Sequence, residues 1–311
     1  MQLLFLGTGA GLPSRQRNVS SLALKLLDEL NQVWLFDCGE STQHQILKTT
    51  LKPRKIRRIF ITHLHGDHIF GLPGLLSSRS FQSSEEHEAL TLYGPPGLRK
   101  YVEVSLSIPK THLTYPLEII ELNPAGGTLE LEKGWTVDYL PLEHGVLSIG
   151  YRITEPDYPG ELLIEKLRDY NIPNGPIFGK LKRGEEVELE DGTRLDGRDF
   201  IGEDRPGRVI TITGDTRKAK NTEILAKEAD VLVHESTHDA NERKMAYKYF
   251  HSTCVDAAEI ARDANVKKLY LNHISARYVG KKGKKLENQA KSVFSNTTVV
   301  YDLDEFDIPF N

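Results

Sequence analysis

The sequence has little cysteine and no long hydrophobic run. Its 311 residues include only two cysteines, Cys38 and Cys254, which are too few for a disulfide framework. No stretch approaches the ~18 apolar residues that a membrane span needs. The N-terminal segment Met1–Leu6 is partly apolar, but no basic residue precedes it and Gly7 interrupts it, so we expect no secretory signal. These absences together favour a protein of the reducing cytoplasm.

An excess of positive charge is also absent. The formal net charge is −4 and the sequence pI is about 6.3. This balance excludes a protein that coats nucleic acid with its whole surface, but it leaves room for local basic patches.

The composition and the pattern of elements indicate a large α/β fold. Hydrophobic residues make up 39% of the chain and charged residues 27%, which is enough apolar material for a substantial core. Apolar runs predict strands at Gln2–Leu6, Ser21–Leu26, Val33–Phe36, Arg58–Thr62, Leu90–Tyr93, Leu117–Leu122, Thr136–Leu140, Ile149–Ile153, Val209–Thr213, Val231–Val233, Lys268–Asn272 and Thr297–Tyr301. Helical patterns cover Thr42–Thr49, Leu72–Phe81, Gly97–Ser107, Thr222–Ala229, Asn241–Phe250, Val255–Ala264 and Leu286–Phe294. Strand clusters in both halves, with helices between them, predict two packed sheets with helices outside, an αββα sandwich.

One segment departs from this rhythm. Residues from about 154 to 208 are rich in proline, glycine and charge and contain little apolar sequence. We interpret them as an arm inserted into a single domain that spans residues 1–311. Insertions of this length are usually functional or mobile.

The stretch THLHGDH, Thr62 to His68, concentrates metal-binding side chains. It follows the apolar run Ile59–Ile61, so we expect it in a loop after a strand, where its side chains can point at two neighbouring positions. Imidazole with carboxylate suits Zn²⁺, with Mn²⁺ or Fe as competitors. The alternative is a solvated polar loop, which the scarcity of histidine, 11 in the chain, disfavours.

Three more candidate ligands follow distant strands. His144 lies in LEHG, Asp215 in TGDT and His273 in NHIS. Each alone is more often a hydrogen-bonded surface or core residue, but together they place ligand chemistry at one strand edge of both sheets. Asp215 has two carboxylate oxygens and could bridge two ions.

These motifs carry a family resemblance. HLHGDH, LEHG, TGDT and NHIS, in this order, resemble the metallo-β-lactamase superfamily. FLGTGAGLPS, FDCGE, ITHLHGDHIFGLPGL, VHEST and YFHST more narrowly resemble the ribonuclease Z (tRNase Z) family, over nearly the whole chain. The resemblance implies two Zn²⁺ ions per subunit, with Mn²⁺ as a possible substitute. It assigns one ion to His63, His65, His144 and Asp215, and the other to Asp67, His68, His273 and the same Asp215.

The resemblance also implies catalytic roles. Asp67 would accept a proton besides its ligand role, His251 of YFHST would donate one, and Glu235 of VHEST would orient His251 and favour its charged form. Without the resemblance, a histidine at the end of a helix that packs on backbone carbonyls is an equal interpretation of His251. The family's HEAT pattern is His234-Glu235-Ser236-Thr237 here, which keeps the carboxylate.

Candidate RNA contacts come from two regions. Residues 13–18 resemble the family's PxKxRN loop, with Arg15 in place of its lysine, followed by Arg17 and Asn18. In the arm, residues 174–183 resemble the part of the family that grips tRNA far from the cut, which assigns RNA contacts to Gly175, Pro176, Lys180, Lys182 and Arg183. Basic runs at residues 52–58 and 281–285 could contact phosphates or be solvated faces.

Gly7, Gly9 and Gly11 follow the first strand but lack the full GxGxxG spacing of a dinucleotide loop. We expect close backbone approach beside the metal site instead.

The sequence thus predicts a zinc-dependent endoribonuclease that removes the 3′ trailer from precursor tRNA, leaving a 3′-hydroxyl on the tRNA and a 5′-phosphate on the trailer. The family is typically a homodimer, so we expect one here, and no membrane association. Two alternatives remain: a hydrolase of small phosphodiesters or sulfate esters from the same superfamily, and a non-catalytic RNA-binding or metal-sensing protein. Thioesterases of the glyoxalase II kind share the ligands but lack the arm, VHEST and YFHST.

Overall fold

The computed structural model describes residues 1–81, 88–170, 172, 175–189, 191–278 and 280–310. The chain divides into two compact units. The sandwich unit comprises Met1–Leu131, Thr136–Ile153 and the chain from Val209 onward, and the inserted unit comprises Glu132–Trp135 and Thr154–Arg208. Within the described ranges, a helix of the length and apolar character needed to cross a membrane is not found.

The elements alternate along the chain as the sequence predicts. The strands are β1 (Gln2–Gly7), β2 (Gly9–Ala10), β3 (Ser21–Leu26), β4 (Gln32–Phe36), β5 (Ile56–Phe60), β6 (Leu90–Gly94), β7 (Leu117–Glu121), β8 (Gly127–Glu130), β9 (Thr136–Leu142), β10 (Ser148–Thr154), β11 (Glu186–Glu188), β12 (Arg194–Asp196), β13 (Val209–Ile212), β14 (Val231–Glu235), β15 (Lys268–Asn272), β16 (Ile274–Ser275), β17 (Thr297–Val299) and β18 (Glu305–Asp307). The α-helices are α1 (Thr42–Ile46), α2 (Gly66–Ile69), α3 (Leu72–Arg79), α4 (Leu98–Ser107), α5 (Ile164–Leu167), α6 (Pro176–Lys182), α7 (Lys220–Ala226), α8 (Arg243–Lys248), α9 (Cys254–Asp263) and α10 (Lys281–Lys291).

Two sheets organise the sandwich unit. In the described chain, one sheet has seven strands in the order β18-β1-β3-β4-β5-β6-β7 and the other has seven in the order β17-β15-β14-β13-β10-β9-β8. The neighbours β4, β5, β6 and β7 run parallel, and so do β13, β14, β15 and β17. Parallel strands end on the same side of a sheet, so loops from successive strands converge there.

Aromatic side chains fill the space between the sheets. The ring of Tyr151 on β10 lies 5.9 Å from that of Phe36 on β4 and 5.4 Å from that of Phe60 on β5, measured between centroids. Phe5 on β1 contacts Tyr270 on β15 at 5.7 Å. The outer face of each sheet packs against helices, one cluster including Ile46, Leu75 and Leu98 and the other Ala226, Ile260 and Leu286. The predicted αββα architecture is confirmed.

The sequence missed the short edge strands and misplaced one helix start. β8 and β18 have only four and three residues, too few for a clear alternation of apolar and polar positions. The helix expected from Leu286 begins at Lys281, because its first turn is a solvated lysine-rich segment with few apolar positions.

The inserted unit has more structure than its composition suggested. The α5 and α6 helices and the β11–β12 hairpin enclose an apolar cluster of Leu167, Leu181, Val187, Leu195 and Phe200. The expectation of little core material was therefore wrong, because five well-spaced apolar residues suffice for a small cluster. At the two ends of the segment, buried Glu155 accepts hydrogen bonds from the backbone N–H and the guanidinium of buried Arg208.

Candidate metal centre

Strand ends bring the predicted ligands together at one edge of the sandwich unit. His63 and His65 follow β5, His144 follows β9, Asp215 follows β13 and His273 directly follows β15. The sequence predicted that the motif is a loop, but only its first part is one. Gly66 begins the one-turn helix α2, which carries Asp67 and His68. The His68 ring lies 4.0 Å from the His63 ring, measured between centroids, so the turn keeps the two halves of the motif adjacent.

Three imidazoles form the first group of ligand atoms. His63 Nε2 lies 3.1 Å from His65 Nδ1, and the same His65 Nδ1 lies 3.3 Å from His144 Nε2. The atoms that converge are therefore Nε2 of His63 and His144 and Nδ1 of His65.

The second group contains Asp67, His68 and His273. Asp67 Oδ2 lies 3.5 Å from His68 Nε2 and 3.3 Å from His273 Nε2. Its position is supported by the backbone N–H of Gly11, which donates to the same Oδ2 at 2.8 Å.

Asp215 lies between the two groups and presents one oxygen to each. Its Oδ2 is 3.7 Å from His63 Nε2 and 4.0 Å from His144 Nε2. Its Oδ1 is 3.5 Å from His68 Nε2 and 3.3 Å from His273 Nε2. Burial opposes ionisation of Asp215, but His273 and His68 outweigh burial and hold its pKa well below the usual range. The side chain is therefore a buried anion that faces both groups.

Hydrogen bonds fix the imidazoles through the nitrogen that does not point into the site. His68 Nδ1 lies 2.7 Å from Asp37 Oδ2, and His144 Nδ1 lies 2.9 Å from the carbonyl oxygen of Phe250. Thr62 Oγ1 is 3.0 Å from His63 Nδ1, and Thr237 Oγ1 is 2.9 Å from His273 Nδ1. Such partners set the tautomer of ligand histidines and hold the rings in place.

The residues fit divalent metal ions. His68 Nδ1 carries a proton toward the Asp37 carboxylate, so Nε2 is the nitrogen that points at Asp67 and Asp215. That buried Nε2 has no hydrogen-bond partner among the described residues. Burial disfavours the charged form of His68, but the carboxylates of Asp215 and Asp37 outweigh burial and raise its pKa well above the usual range. The site demands positive charge, and imidazole with carboxylate is a donor set that suits Zn²⁺ and similar ions.

Glu235 and His251 form a pair beside the ligands. Glu235 Oε1 lies 2.8 Å from His251 Nδ1, and His251 Nδ1 is 3.9 Å from Asp215 Oδ2. Thr216 and Thr237 donate to the buried Glu235 carboxylate from their backbone N–H groups at 3.0 Å and 3.1 Å. Burial lowers the pKa of His251, but Glu235 outweighs burial and raises it to about 9. His251 is therefore positively charged at neutral pH.

The glycine-rich segment approaches its neighbours closely, as expected. A Cβ on Gly7 would lie 1.7 Å from the carbonyl oxygen of Val19. The carboxylate of Asp302 accepts from the backbone N–H groups of Thr8 and Asn18 at 3.0 Å and 2.6 Å. These contacts hold the segment whose Gly11 supports Asp67.

The predicted RNA contacts divide by exposure. Arg15 is exposed and Asn18 is half-buried. Arg17 is only 2% exposed and donates to Thr8 Oγ1 and to the carbonyl oxygen of Val300, with its guanidinium 4.4 Å from the centre of the Tyr301 ring. The prediction that Arg17 contacts RNA directly was wrong, because its guanidinium is buried and its hydrogen bonds anchor the loop within the protein.

The arm candidates lie in the inserted unit. Exposed residues there are Gly175, Pro176, Lys180, Lys182 and Arg183. Of these, Arg183 pairs with Glu185. Asn174, at the start of the same motif, lies outside the described residues.

Sequence reasoning assigned no role to Asp37, Thr62 and Thr237. Asp37 follows β4, and because β4 pairs in parallel with β5, its Oδ1 accepts from the backbone N–H of Thr62 at 2.8 Å. The sequence carried a signal for Asp37, since this charged residue of the FDCGE motif directly follows an apolar strand. Its partner His68 could be found only from the register of the two strands.

Comparisons with known proteins place this site in context. A family model described as "Anti-Pycsar protein Apyc1" matches residues 1–110. The ribonuclease Z of Lactobacillus acidophilus is 60% identical over 309 residues, which cover 99% of this chain and 98% of that protein. The crystal structure of the short form of human tRNase Z aligns with a TM-score of 0.71 and 29% identity over 100% of both chains. The metallo-β-lactamase fold protein YhfI from Bacillus subtilis shares the fold, with a TM-score of 0.68 and 18% identity over 98% of this chain and 99% of that one.

The Asp37–His68 hydrogen bond generates a prediction about metal affinity. Asp37→Asn keeps the size of the side chain and tolerates the backbone φ of 56° but removes the negative charge behind His68. We expect zinc affinity to fall by about 10- to 100-fold, measured by competition with a chromogenic chelator. Asp28→Asn, at an exposed turn position, is the matched control. Equal affinities for the two variants would show that Asp37 does not act on the metal centre.

Proposed function

The chain belongs to the ribonuclease Z family, and we propose that it hydrolyses precursor tRNA at the 3′ end of the tRNA with two divalent metal ions. The resemblance predicted from the motifs is confirmed by relatives of that name that match it over its full length. The observation that supports the two-metal proposal is Asp215, whose two oxygens face two separate ligand groups.

The ligand assignment follows the two groups. We propose that His63, His65 and His144 hold one ion, that Asp67, His68 and His273 hold the other, and that Asp215 reaches both. Zinc is the expected metal, with manganese as a substitute. Two such ions supply positive charge next to a phosphate and lower the pKa of water, which suits phosphodiester hydrolysis.

Side chains of the protein are proposed to accept and donate the protons of the reaction. An oxygen of water forms the new bond to phosphorus, and the bond from phosphorus to the 3′ oxygen of the tRNA breaks. Asp67 is proposed to take the proton from water. His251, held charged by Glu235, is proposed to give a proton to the leaving 3′ oxygen. The products are a tRNA with a 3′-hydroxyl and a trailer with a 5′-phosphate, so no 2′-hydroxyl is consumed.

The sandwich unit and the inserted unit would both contact RNA. Arg15 and Asn18 belong to the segment that also supports Asp67 through Gly11, so RNA held there would lie near the metal ligands in space. Lys180, Lys182 and Arg183 would hold phosphates elsewhere on the tRNA, which positions the substrate without reading bases. We also propose a homodimer that acts in the cytoplasm, where its substrate is made; sedimentation of the purified protein as a monomer would refute the dimer.

The alternatives are weaker. A hydrolase of small phosphodiesters would use the same ligands but has no use for exposed cations in a separate inserted unit. A non-catalytic protein would not require a charged His251 that buried Glu235 holds beside the metal ligands.

His251→Ala tests the donor role directly. We expect turnover of precursor tRNA to fall by about 10²–10⁴, the usual effect of losing a general acid, while zinc content stays at the wild-type level. In the wild type the rate should fall as pH rises through the raised pKa of His251, because the donor is then deprotonated, and this dependence should vanish in the variant. The measurements are single-turnover cleavage of a labelled precursor tRNA across pH, and elemental analysis.

His112→Ala is the control, since His112 is exposed. If His251→Ala loses zinc, the residue is a ligand rather than a donor. If it cleaves at the wild-type rate, the assigned role is wrong. A wild-type protein that leaves precursor tRNA intact would refute the proposed function itself.

The inserted unit makes a second prediction. Replacing both Lys180 and Lys182 by alanine should raise KM for precursor tRNA and reduce the salt dependence of binding by up to about 1.4–1.8 in log–log slope, because each phosphate contact contributes about 0.7–0.9. The turnover number should change little. Arg194→Ala with Arg198→Ala is the matched control, because these exposed cations already pair with Glu188 and Asp196. Equal effects of both double variants would mean that the unit attracts RNA only through its overall charge.

A further inference from the structure

An exposed aromatic surface lies beside the metal centre and has no role in the mechanism above. Tyr247 at the end of α8 is 63% exposed and Phe250 is 36% exposed. The guanidinium carbon of Arg217 lies 4.3 Å from the centre of the Tyr247 ring and 4.8 Å from that of Phe250. We call these three residues the aromatic platform.

The platform is joined to the catalytic groups by short contacts. Arg217 lies two residues after Asp215, and its Nε donates to Glu143 Oε2 at 2.7 Å, next to His144 in the chain. Phe250 immediately precedes His251, and its carbonyl oxygen lies 2.9 Å from His144 Nδ1. A molecule bound to the platform would therefore lie beside His144, a proposed metal ligand, and His251, the proposed proton donor.

The backbone at Phe250 supports a specific placement of this ring. Its φ is 59°, a left-handed conformation that is unfavourable for a bulky residue. This conformation persists at functional sites when surrounding contacts hold it. Here the hydrogen-bonded carbonyl faces His144 while the ring contributes to the exposed surface.

Packing does not account for the exposed rings. Ala246 is the buried residue of α8, and Lys244, Tyr247 and Lys248 of the same helix are exposed. Exposed aromatic rings combined with cations are the features with which proteins bind unpaired nucleotides, since every base can stack on a ring or on a guanidinium plane. The positive charges of Arg217, Lys244 and Lys248 favour a polyanionic binding partner over an apolar one.

We propose that the aromatic platform stacks the base of the nucleotide on the 5′ side of the cleaved bond, the unpaired nucleotide whose 3′ oxygen leaves. The proposal rests on the proposed function and adds the position of one base to it. His251 is assigned to that 3′ oxygen, and Phe250 is its neighbour in the chain, so the base of the same nucleotide is the group nearest to the platform. Stacking tolerates any base, which suits a substrate class with variable nucleotides at this position.

The test compares Tyr247→Ala with the wild type on two precursor tRNAs. One carries a normal nucleotide 5′ of the cut and the other an abasic residue there. On the normal substrate we expect Tyr247→Ala to lower kcat/KM by about 5- to 150-fold, the range that corresponds to loss of one stacked base. On the abasic substrate the wild type should be impaired to a similar extent, and Tyr247→Ala should add little further loss.

Control variants separate stacking from structure. Tyr247→Phe keeps the ring and should retain activity, and Phe81→Ala, which removes a ring that is 88% exposed and lies two residues after α3, should change nothing. Replacing the base with 2-aminopurine gives a binding signal, since its fluorescence is quenched on stacking; Tyr247→Ala should weaken that quenching.

Three results would overturn the inference. Tyr247→Ala could lose the same factor on both substrates, which would mean that the ring contacts another part of the RNA or only supports the site. It could cleave both at the wild-type rate. It could change the oligomeric state, which would make the surface an interface between copies. In each case the wild type still cleaves precursor tRNA and the proposed function stands, whereas a wild type that cleaves neither substrate would refute both.

Discussion

The buried carboxylate of Asp215 is the group on which the rest of the site depends. It is 3% exposed, ionised, and surrounded by imidazole nitrogens on both sides. A buried anion is costly unless positive charge compensates it. Its two oxygens face different ligand groups, so two ions, one on each side, would compensate both oxygens. The two-metal proposal follows from this constraint, and the ligands come from both sheets because no single loop could surround one carboxylate from two sides.

The supporting hydrogen bonds explain why the site needs the whole sandwich unit. Asp37, Thr62 and Thr237 each fix an imidazole, and Phe250 fixes a fourth through its carbonyl. Thr237 also donates to Glu235, so the group that holds the ligand His273 also holds the partner of the proposed proton donor. The supporting residues Asp37 and Phe250 and the proposed metal ligand His273 all have positive φ. Backbone strain of this kind is stabilised by the surrounding structure and is common at functional sites.

The sequence predicted the ligands better than their supports. The ligand histidines and aspartates lie within a few residues of the ends of apolar strands, so residue type, position and the family resemblance sufficed to find them. The partner of Asp37 depends on the parallel register of β4 and β5, which a single sequence does not display. Arg17 was assigned to RNA because residues 13–18 resemble the family's PxKxRN loop, but a motif does not show burial, and the side chain is buried and contacts Thr8 and Val300. In the inserted unit, Leu181 and Phe200 are too far apart in sequence to indicate the apolar cluster they share.

The most direct test of the account is diffraction at the zinc absorption edge from crystals of the zinc-loaded protein. Two anomalous peaks per chain should appear, each about 2.0–2.2 Å from its ligand atoms. One should lie among His63 Nε2, His65 Nδ1 and His144 Nε2, and the other among Asp67, His68 Nε2 and His273 Nε2, with an oxygen of Asp215 next to each. A single peak, or two peaks that leave Asp215 without a contact to one of them, would contradict the shared-carboxylate account.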